Sequence, residues 1–299
     1  MKILVTGSTG FIGSQIVKSL IKKYGDDSVV ILSSKNFPGL TCFEYRNMQD
    51  FGTVATSFDD ITHVIHAGAF IPKENDQAGN IKACCSNIDF TKQLLSHNFR
   101  SLVRILNIST VDVYEASNKR LLENSPVRPE SLYGSSKLYC EDMVKTFSET
   151  NKASYINLRV GHVYGPGEEK YKKVLPLAIK NILTEKPVEL WGDGSDLRSF
   201  IFINDVVESV MNALTFSKNN IDINVASGNE VSILELLQIL KSVSSKPMTI
   251  INKDSSHIKR DLIFDNSYLL KTILKKETDL KHGLKIEFEY MKSKYENNI

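Results

Sequence analysis

"TGSTGFIG", Thr6–Gly13, is the stretch on which the fold turns. It follows the short β-branched run "ILVT" (Ile3–Thr6). Beyond it, Phe11, Ile12, Ile16, Leu20 and Ile21 recur at helical spacing, with Gly25 as a stop. Gly7, Gly10 and Gly13 therefore lie in a strand–turn–helix context. Glycine has no Cβ, so backbone at these positions can approach a diphosphate closely. The start of the helix adds free N–H groups and partial positive charge. The spacing is one residue longer than G-x-G-x-x-G, and three glycines alone would fit an ordinary turn. The flanking strand and helix make the loop, with Thr9, Phe11 and Ile12, a candidate dinucleotide cradle.

Outward from this loop, short apolar runs alternate with helical patterns. Strands are expected at Val29–Leu32, Cys42–Tyr45, His63–Ala69, Leu102–Thr110 and Tyr155–Gly165, with helices through Asn87 to Leu95 and from about Ser131. Such alternation predicts an α/β protein with a Rossmann-type doubly wound parallel sheet. Sheets of this kind bind ligands at the carboxyl ends of their strands. After Gly165 the alternation loosens. "PGEEKYKKV" is polar, and "VELWGDGSDLRSFIFINDVV" carries a glycine-rich turn between two short strands. "DINVASG" reads as a further strand, and Ser232 and Glu235 are spaced for a capping box. The expected division is a dinucleotide-binding domain over 1–165, with strands from about 200–225 returning to it. A smaller C-terminal α/β substrate lobe would take 166–199 and 226–299.

The chain has 299 residues, a formal net charge of +2 and 24% charged residues. That balance makes no case for nucleic acid or an anionic membrane as partner. Cys42, Cys84, Cys85 and Cys140 form neither a C-x-x-C pair nor a zinc-type cluster, which reads as buried or half-buried thiols in a reducing compartment, with no metal. "MKILVTG" does not look like a signal peptide, and no apolar run approaches the roughly 20 residues of a membrane span. A cytoplasmic protein is expected.

"YGSSK" sets Tyr133 and Lys137 four residues apart, on one face of the expected helix. A neighbouring ammonium can lower a phenol by roughly 1–3 pH units from about 10, which suits proton transfer near neutrality. Thr110, ending a strand, adds a hydroxyl that could hold a substrate oxygen. A Tyr-x-x-x-Lys spacing is common by chance, and Thr110 also fits an ordinary strand end.

Taken in order, "TGSTGFIG", "HAGA", "STVDVY", "YGSSK", "LRVGHVYGPG" and "GDGSDLRSFIFINDV" resemble the extended short-chain dehydrogenase/reductase family, in its NAD-dependent epimerase/dehydratase group, over nearly the whole chain. The resemblance implies enzymes acting on sugar nucleotides. It makes Tyr133 the general acid/base, has Lys137 hold the nicotinamide ribose and tune Tyr133, and completes the triad with Thr110. It places Ala67, Gly68 and Ala69 beside the cofactor, and Asn47 and Met48 at the adenine. His162 and Arg198, with Arg260 as a looser match, would contact the nucleotide sugar. Guanidinium forks suit phosphate oxygens. A homodimer through a four-helix bundle, using the helices that carry Asn87 and Tyr133, is implied as well.

Dehydratases of the group carry Asp-Glu after the triad threonine. Here Val111 stands in the first place and cannot donate a proton. "ILSSK" ends the second strand about 20 residues past Gly13, where a carboxylate usually accepts the ribose hydroxyls of NAD. Ser33, Ser34 and Lys35 would instead bond a 2′-phosphate, each bond to a charged group contributing roughly 1.5–3 kcal/mol. NADP is the expected cofactor, with NAD as the alternative. "HVYGPG" resembles the reductases that make CDP-abequose and CDP-paratose. The expected activity is reduction of a nucleotide-linked 4-keto-6-deoxyhexose. A nucleotide-sugar 4-epimerase is the alternative, ahead of a 4,6-dehydratase or a non-sugar carbonyl reductase.

Overall fold

A computed structural model describes residues 1–52, 54, 58–253, 259 and 261–296. The first half runs β1 (Ile3–Thr6), α1 (Phe11–Tyr24), β2 (Val29–Ser33), β3 (Thr41–Glu44), β4 (His63–His66), α2 (Ile81–Leu95), β5 (Arg104–Thr110), α3 (Leu132–Asn151) and β6 (Ser154–Val160). It continues with β7 (His162–Tyr164), α4 (Val174–Leu183), β8 (Val188–Trp191), β9 (Leu197–Phe202), α5 (Ile203–Ala213) and β10 (Ile221–Val225). The chain closes with β11 (Glu230–Ser232), α6 (Ile233–Ser244), β12 (Ile250–Lys253), α7 (Ser267–Thr272) and α8 (Leu280–Glu296).

Among the described residues, seven strands form the central sheet in the order β10-β6-β5-β4-β1-β2-β3. Every neighbouring pair in it is parallel. Residues of β1, β2, β4 and β5 are buried throughout, as expected of a parallel sheet covered on both faces. Successive side chains point to opposite faces. Ile3, Val5, Ile31 and Leu106 pack with Ile16 and Leu20 of α1 and Val206 of α5. Leu4, Leu32, Val64 and Ile105 pack on the other face with Phe90 of α2 and Val144 of α3. The chain winds one way from β1 to β3, then restarts at β4 on the other side of β1. This reversal opens a crevice past the carboxyl ends of β1 and β4.

Tyr155–Gly165, expected as one strand, is two. β6 lies in the main sheet and β7 in a three-stranded sheet ordered β11-β9-β7. The break falls at Gly161, whose N–H donates to the Val225 carbonyl at 3.0 Å. A Cβ there would stand 3.0 Å from that of Ala226, so a side chain would crowd the crossing between sheets. Of the strands between about 200 and 225, β10 joins the main sheet, whereas β9 pairs with β7 and β11. β8 and β12 make a separate parallel pair. The Ser232–Glu235 capping box closes as its spacing predicts. The four cysteines are free thiols, and Cys85 is exposed rather than buried because it points off α2.

A buried ionic cluster fixes α3 to the sheet. Arg159 of β6 reaches Glu141 of α3 and Asp222 of β10, each at 2.8 Å, and the Tyr114 hydroxyl at 3.1 Å. Breaking such a cluster on one side leaves an uncompensated buried charge. It therefore sets the depth at which α3 presents its first turns to the crevice.

Candidate active site

The glycine loop is closed by a bond from the Gly10 N–H to the Gly7 carbonyl at 2.9 Å. Gly7 has φ +69°, and a Cβ on it would fall 2.5 Å from the Ala67 carbonyl. On Gly13 a Cβ would meet the Gly7 carbonyl oxygen at 2.1 Å. The turn therefore sits directly against the segment that follows β4. α1 starts at Phe11 with Gly10 as its N-cap and no side-chain cap, so its first amides face the crevice. Gly68 is demanded just as tightly, since a Cβ would lie 2.4 Å from the Phe90 ring. This close-approach backbone at a helix start fits a dinucleotide diphosphate.

His66 forms the floor. Its Nδ1 lies 2.9 Å from the Thr6 hydroxyl and its Nε2 2.9 Å from that of Thr91. Thr91 has the Asn87 carbonyl at 2.9 Å and Cys140 Sγ at 3.2 Å to take its one proton. It therefore accepts from Nε2–H, which leaves Nδ1 to accept from Thr6. Thr6 in turn accepts from the Gly68 N–H at 2.9 Å. Burial, and secondarily the charge of Lys137, push His66 down to about 3, so it is a neutral strut.

Tyr133 and Lys137 are both buried in the first turns of α3, which Ser131 caps by accepting from the Gly134 N–H at 3.0 Å. The Tyr133 phenol lies close enough to Thr110 for that hydroxyl to lower it, and the Thr110 hydroxyl accepts from the Asp112 N–H at 3.2 Å. Thr110 and Tyr133 thus lie together at the carboxyl end of β5, with Lys137 buried one helical turn on. The expected tuning is corrected. Burial first, and Asp112 second, raise the Tyr133 phenol above its ordinary value, and Thr110 opposes them. The Lys137 ammonium, itself lowered by burial, acts on His66 and Cys140 beneath it instead. One helical face brings the two side chains together, but Lys137 is drawn down toward the sheet.

At the end of β2, the buried Ser33 hydroxyl accepts from the Lys35 N–H at 3.1 Å and closes a turn that leaves Ser34 and Lys35 exposed. Asn47 is exposed and closes a turn of its own, its Oδ1 accepting from the Gln49 N–H at 2.9 Å. Met48 packs on α2, with its carbonyl accepting from Gln93 at 3.3 Å and its sulfur 3.8 Å from the Ser86 hydroxyl. Ala67 and Ala69 flank Gly68. The Asn87 amide holds this segment by accepting from the Phe70 N–H at 2.6 Å and donating to Ser136 of α3 at 3.1 Å.

Val160 pairs with Thr110, so His162, two residues on, lies just past the triad. His162 pairs with Phe200 of β9, with the two rings 5.9 Å apart. Arg198 of β9 donates to the Leu197 carbonyl at 2.9 Å and stands 3.6 Å from Asp196. Arg260 lies outside the described residues. Nearby, Leu262 bridges to Arg198, and Asp261 accepts from the Leu197 N–H at 2.9 Å.

Two residues at the triad escaped the sequence reading. Asp112, in the turn after β5, and Tyr171, in the segment after β7, both act electrostatically to raise the Tyr133 phenol. An acidic residue two positions past Thr110 was a usable signal for the first. Nothing local marked the second. Among the described residues, no group of His, Cys, Asp and Glu could hold a metal ion, and no helix is long and apolar enough to cross a membrane.

This crevice, cradle and hydroxyl–lysine cluster define an NAD(P)-dependent enzyme of the extended short-chain dehydrogenase/reductase type. The chain belongs to the NAD dependent epimerase/dehydratase family, whose profile matches residues 3–226. It is 28% identical to a Methanocaldococcus jannaschii protein assigned as a candidate UDP-glucose 4-epimerase, over 97% of this chain and 98% of that one. It is 25% identical to the dTDP-4-dehydro-6-deoxyglucose reductase of Escherichia coli, over 85% of each. A crystal structure of a mutant UDP-glucuronic acid 4-epimerase from Bacillus cereus, in complex with UDP-4-deoxy-4-fluoro-glucuronic acid and NAD, superposes with a TM-score of 0.85. That match is at 26% identity, covering 99% of this chain and all of that one. The family modifies nucleotide sugars.

Proposed function

We propose that the protein reduces a nucleotide-linked 4-keto-6-deoxyhexose with NADPH. The observation that carries this reading is the end of β2. Ser33, Ser34 and Lys35 place two hydroxyls and an ammonium where a ribose-binding carboxylate would repel a 2′-phosphate. Val111 after Thr110, in place of an acid, argues against water elimination. The Escherichia coli relative named above as a reductase supports the same direction.

A nicotinamide cofactor, held by the glycine loop and the end of β2, would supply the hydride for the carbonyl carbon. Tyr133, held protonated at neutral pH by burial, delivers its proton to the developing alkoxide oxygen. Thr110 orients that oxygen from the end of β5. Lys137 would hold the nicotinamide ribose. His162 and Arg198, with Arg260, would grip the nucleotide diphosphate, and residues 166–199 and 226–299 would form the substrate lobe. Exposed Ile81 on α2 and Leu132 and Tyr139 on α3 support pairing of these helices with a second copy as a homodimer.

A 4-epimerase that retains NAD is the second reading, and the Bacillus cereus epimerase, solved with NAD, favours it. Titration with NADPH and NADH, followed by turnover of CDP-, dTDP-, GDP- and UDP-linked 4-keto sugars, tests the first. NADPH oxidation with at least one of them is expected. Release of near-stoichiometric NAD on denaturing the purified protein, without NADPH oxidation, would select the epimerase.

A further inference from the structure

The segment that follows β4 lies against the glycine loop, and its backbone is held from behind at two points. The Gly68 N–H donates to Thr6 at 2.9 Å, and the series Thr6, His66 and Thr91 carries that tie to α2. Two residues on, Phe70 meets the Asn87 side chain as it would meet a neighbouring strand. Its N–H donates to Asn87 Oδ1 at 2.6 Å, and its carbonyl accepts from Asn87 Nδ2 at 3.3 Å.

Asn87 stands in the middle of α2 and is 1% exposed. Asparagine is a poor helix former, because its amide competes for nearby backbone groups. Buried, that amide also needs partners for its oxygen and its two N–H groups. The partners it finds are the two Phe70 groups and, at 3.1 Å, the Ser136 hydroxyl of α3. Ser136 is buried as well and donates to the Tyr133 carbonyl at 2.8 Å. Its one proton is committed there, so its oxygen accepts from Asn87. The Asn87 carbonyl makes a second tie one turn further along. It accepts from Thr91 at 2.9 Å and from Cys140 Sγ of α3 at 3.5 Å.

We propose that Asn87 is a positioning residue that fixes the general acid relative to the cofactor. Through Phe70 it sets the segment beside which the dinucleotide would lie. Through Ser136 it sets the turn of α3 that carries Tyr133 and leads to Lys137. One side chain thus references both the cofactor seat and the proton donor. Cofactor bound against residues 67–70 tightens the first turn of α3, so that the acid is in place when the hydride is. The inference rests on reading Tyr133 as the acid and residues 67–70 as part of the cofactor site.

The test starts with Ser136→Ala, which removes the hydroxyl and substitutes a better helix former. Its kcat, with whichever 4-keto sugar nucleotide the wild type reduces, should fall about 10-fold, as a misplaced reacting group requires, with NADPH affinity by calorimetry within about 2-fold of wild type. Asn87→Ala should lower kcat at least as much and also weaken NADPH binding about 3- to 10-fold, the range for one lost hydrogen bond. The double variant should lose no more kcat than Asn87→Ala alone, because the two side chains act through one bond. An unchanged kcat in Ser136→Ala, or losses that multiply in the double variant, overturns the proposal. Hydrogen exchange decides the coupling without a substrate, and without Asn87→Ala should that variant not fold. In the wild type, saturating NADPH should slow exchange of amides 134–137. In Ser136→Ala that protection should shrink while protection of amides 68–70 remains. Equal protection in the two proteins refutes the coupling. Binding of NADPH without reduction of any 4-keto sugar nucleotide would instead sink the proposed activity, and binding of neither NADPH nor NADH would sink the cofactor site itself.

Discussion

Glu287→Gln should stabilise the protein in alkaline solution and leave it nearly unchanged in acid. Glu287 of α8 and Glu168 of the segment after β7 are buried against each other, 1% and 2% exposed. As a carboxylate, Glu287 makes no hydrogen bond of normal geometry among the described residues; a proton shared with Glu168 supplies one. Lys173, 3.3 Å from Glu168, is the cation at the pair, while Glu169 adds a like charge and Tyr164 packs alongside. Burial raises both carboxyls, Glu168 from its ordinary 4.5 to about 7. A carboxyl raised on folding contributes stability that is fully present below its unfolded value and is lost as pH rises through its folded value. At about 1.4 kcal/mol for each pH unit, the interval from 4.5 to about 7 corresponds to roughly 3 kcal/mol lost by pH 8. The amide introduced by Glu287→Gln would keep a neutral donor at every pH. Urea denaturation at pH 4.5 and pH 8 should show the variant level with wild type at the lower pH. At the higher pH it should be the more stable of the two, because the burial of Glu287 as a carboxylate no longer has to be met. An equal offset at both pH values, or a variant less stable at pH 8, would refute the shared proton.

Other consequences are more direct. Tyr133→Phe should lower kcat by about 100- to 10,000-fold while leaving NADPH affinity within a few-fold, because it removes the proton and not the cradle; retained turnover would move the acid elsewhere. Ser33→Asp combined with Lys35→Ala should shift preference from NADPH toward NADH by about 10- to 100-fold, read as the ratio of kcat/KM values. No shift would mean that the β2 end does not select the cofactor. Gly68→Ala, with its Cβ aimed at the fully buried Phe90 ring, should cost about 1–3 kcal/mol in urea denaturation and weaken dinucleotide binding. An unchanged denaturation midpoint would show that the ring can yield.

The sequence by itself determined the units that depend on neighbours along the chain. The edges of β1 and α1 coincide with "ILVT" and with Gly25, and Ser131 and Ser232 cap the helices that follow them. The glycine loop and the Thr110, Tyr133 and Lys137 set were legible because strand ends and i, i+4 helical spacing place side chains locally. Only the tertiary structure decided what burial and distant segments impose. It split Tyr155–Gly165 at Gly161, where a side chain would crowd Ala226. It buried Glu168 of a polar loop against α8, and set Asp112 and Tyr171 to act on the charge of Tyr133. It also reversed the expected tuning of that phenol. Desolvation depends on how much protein surrounds a group, and the segments that surround Tyr133 are far from it in the chain.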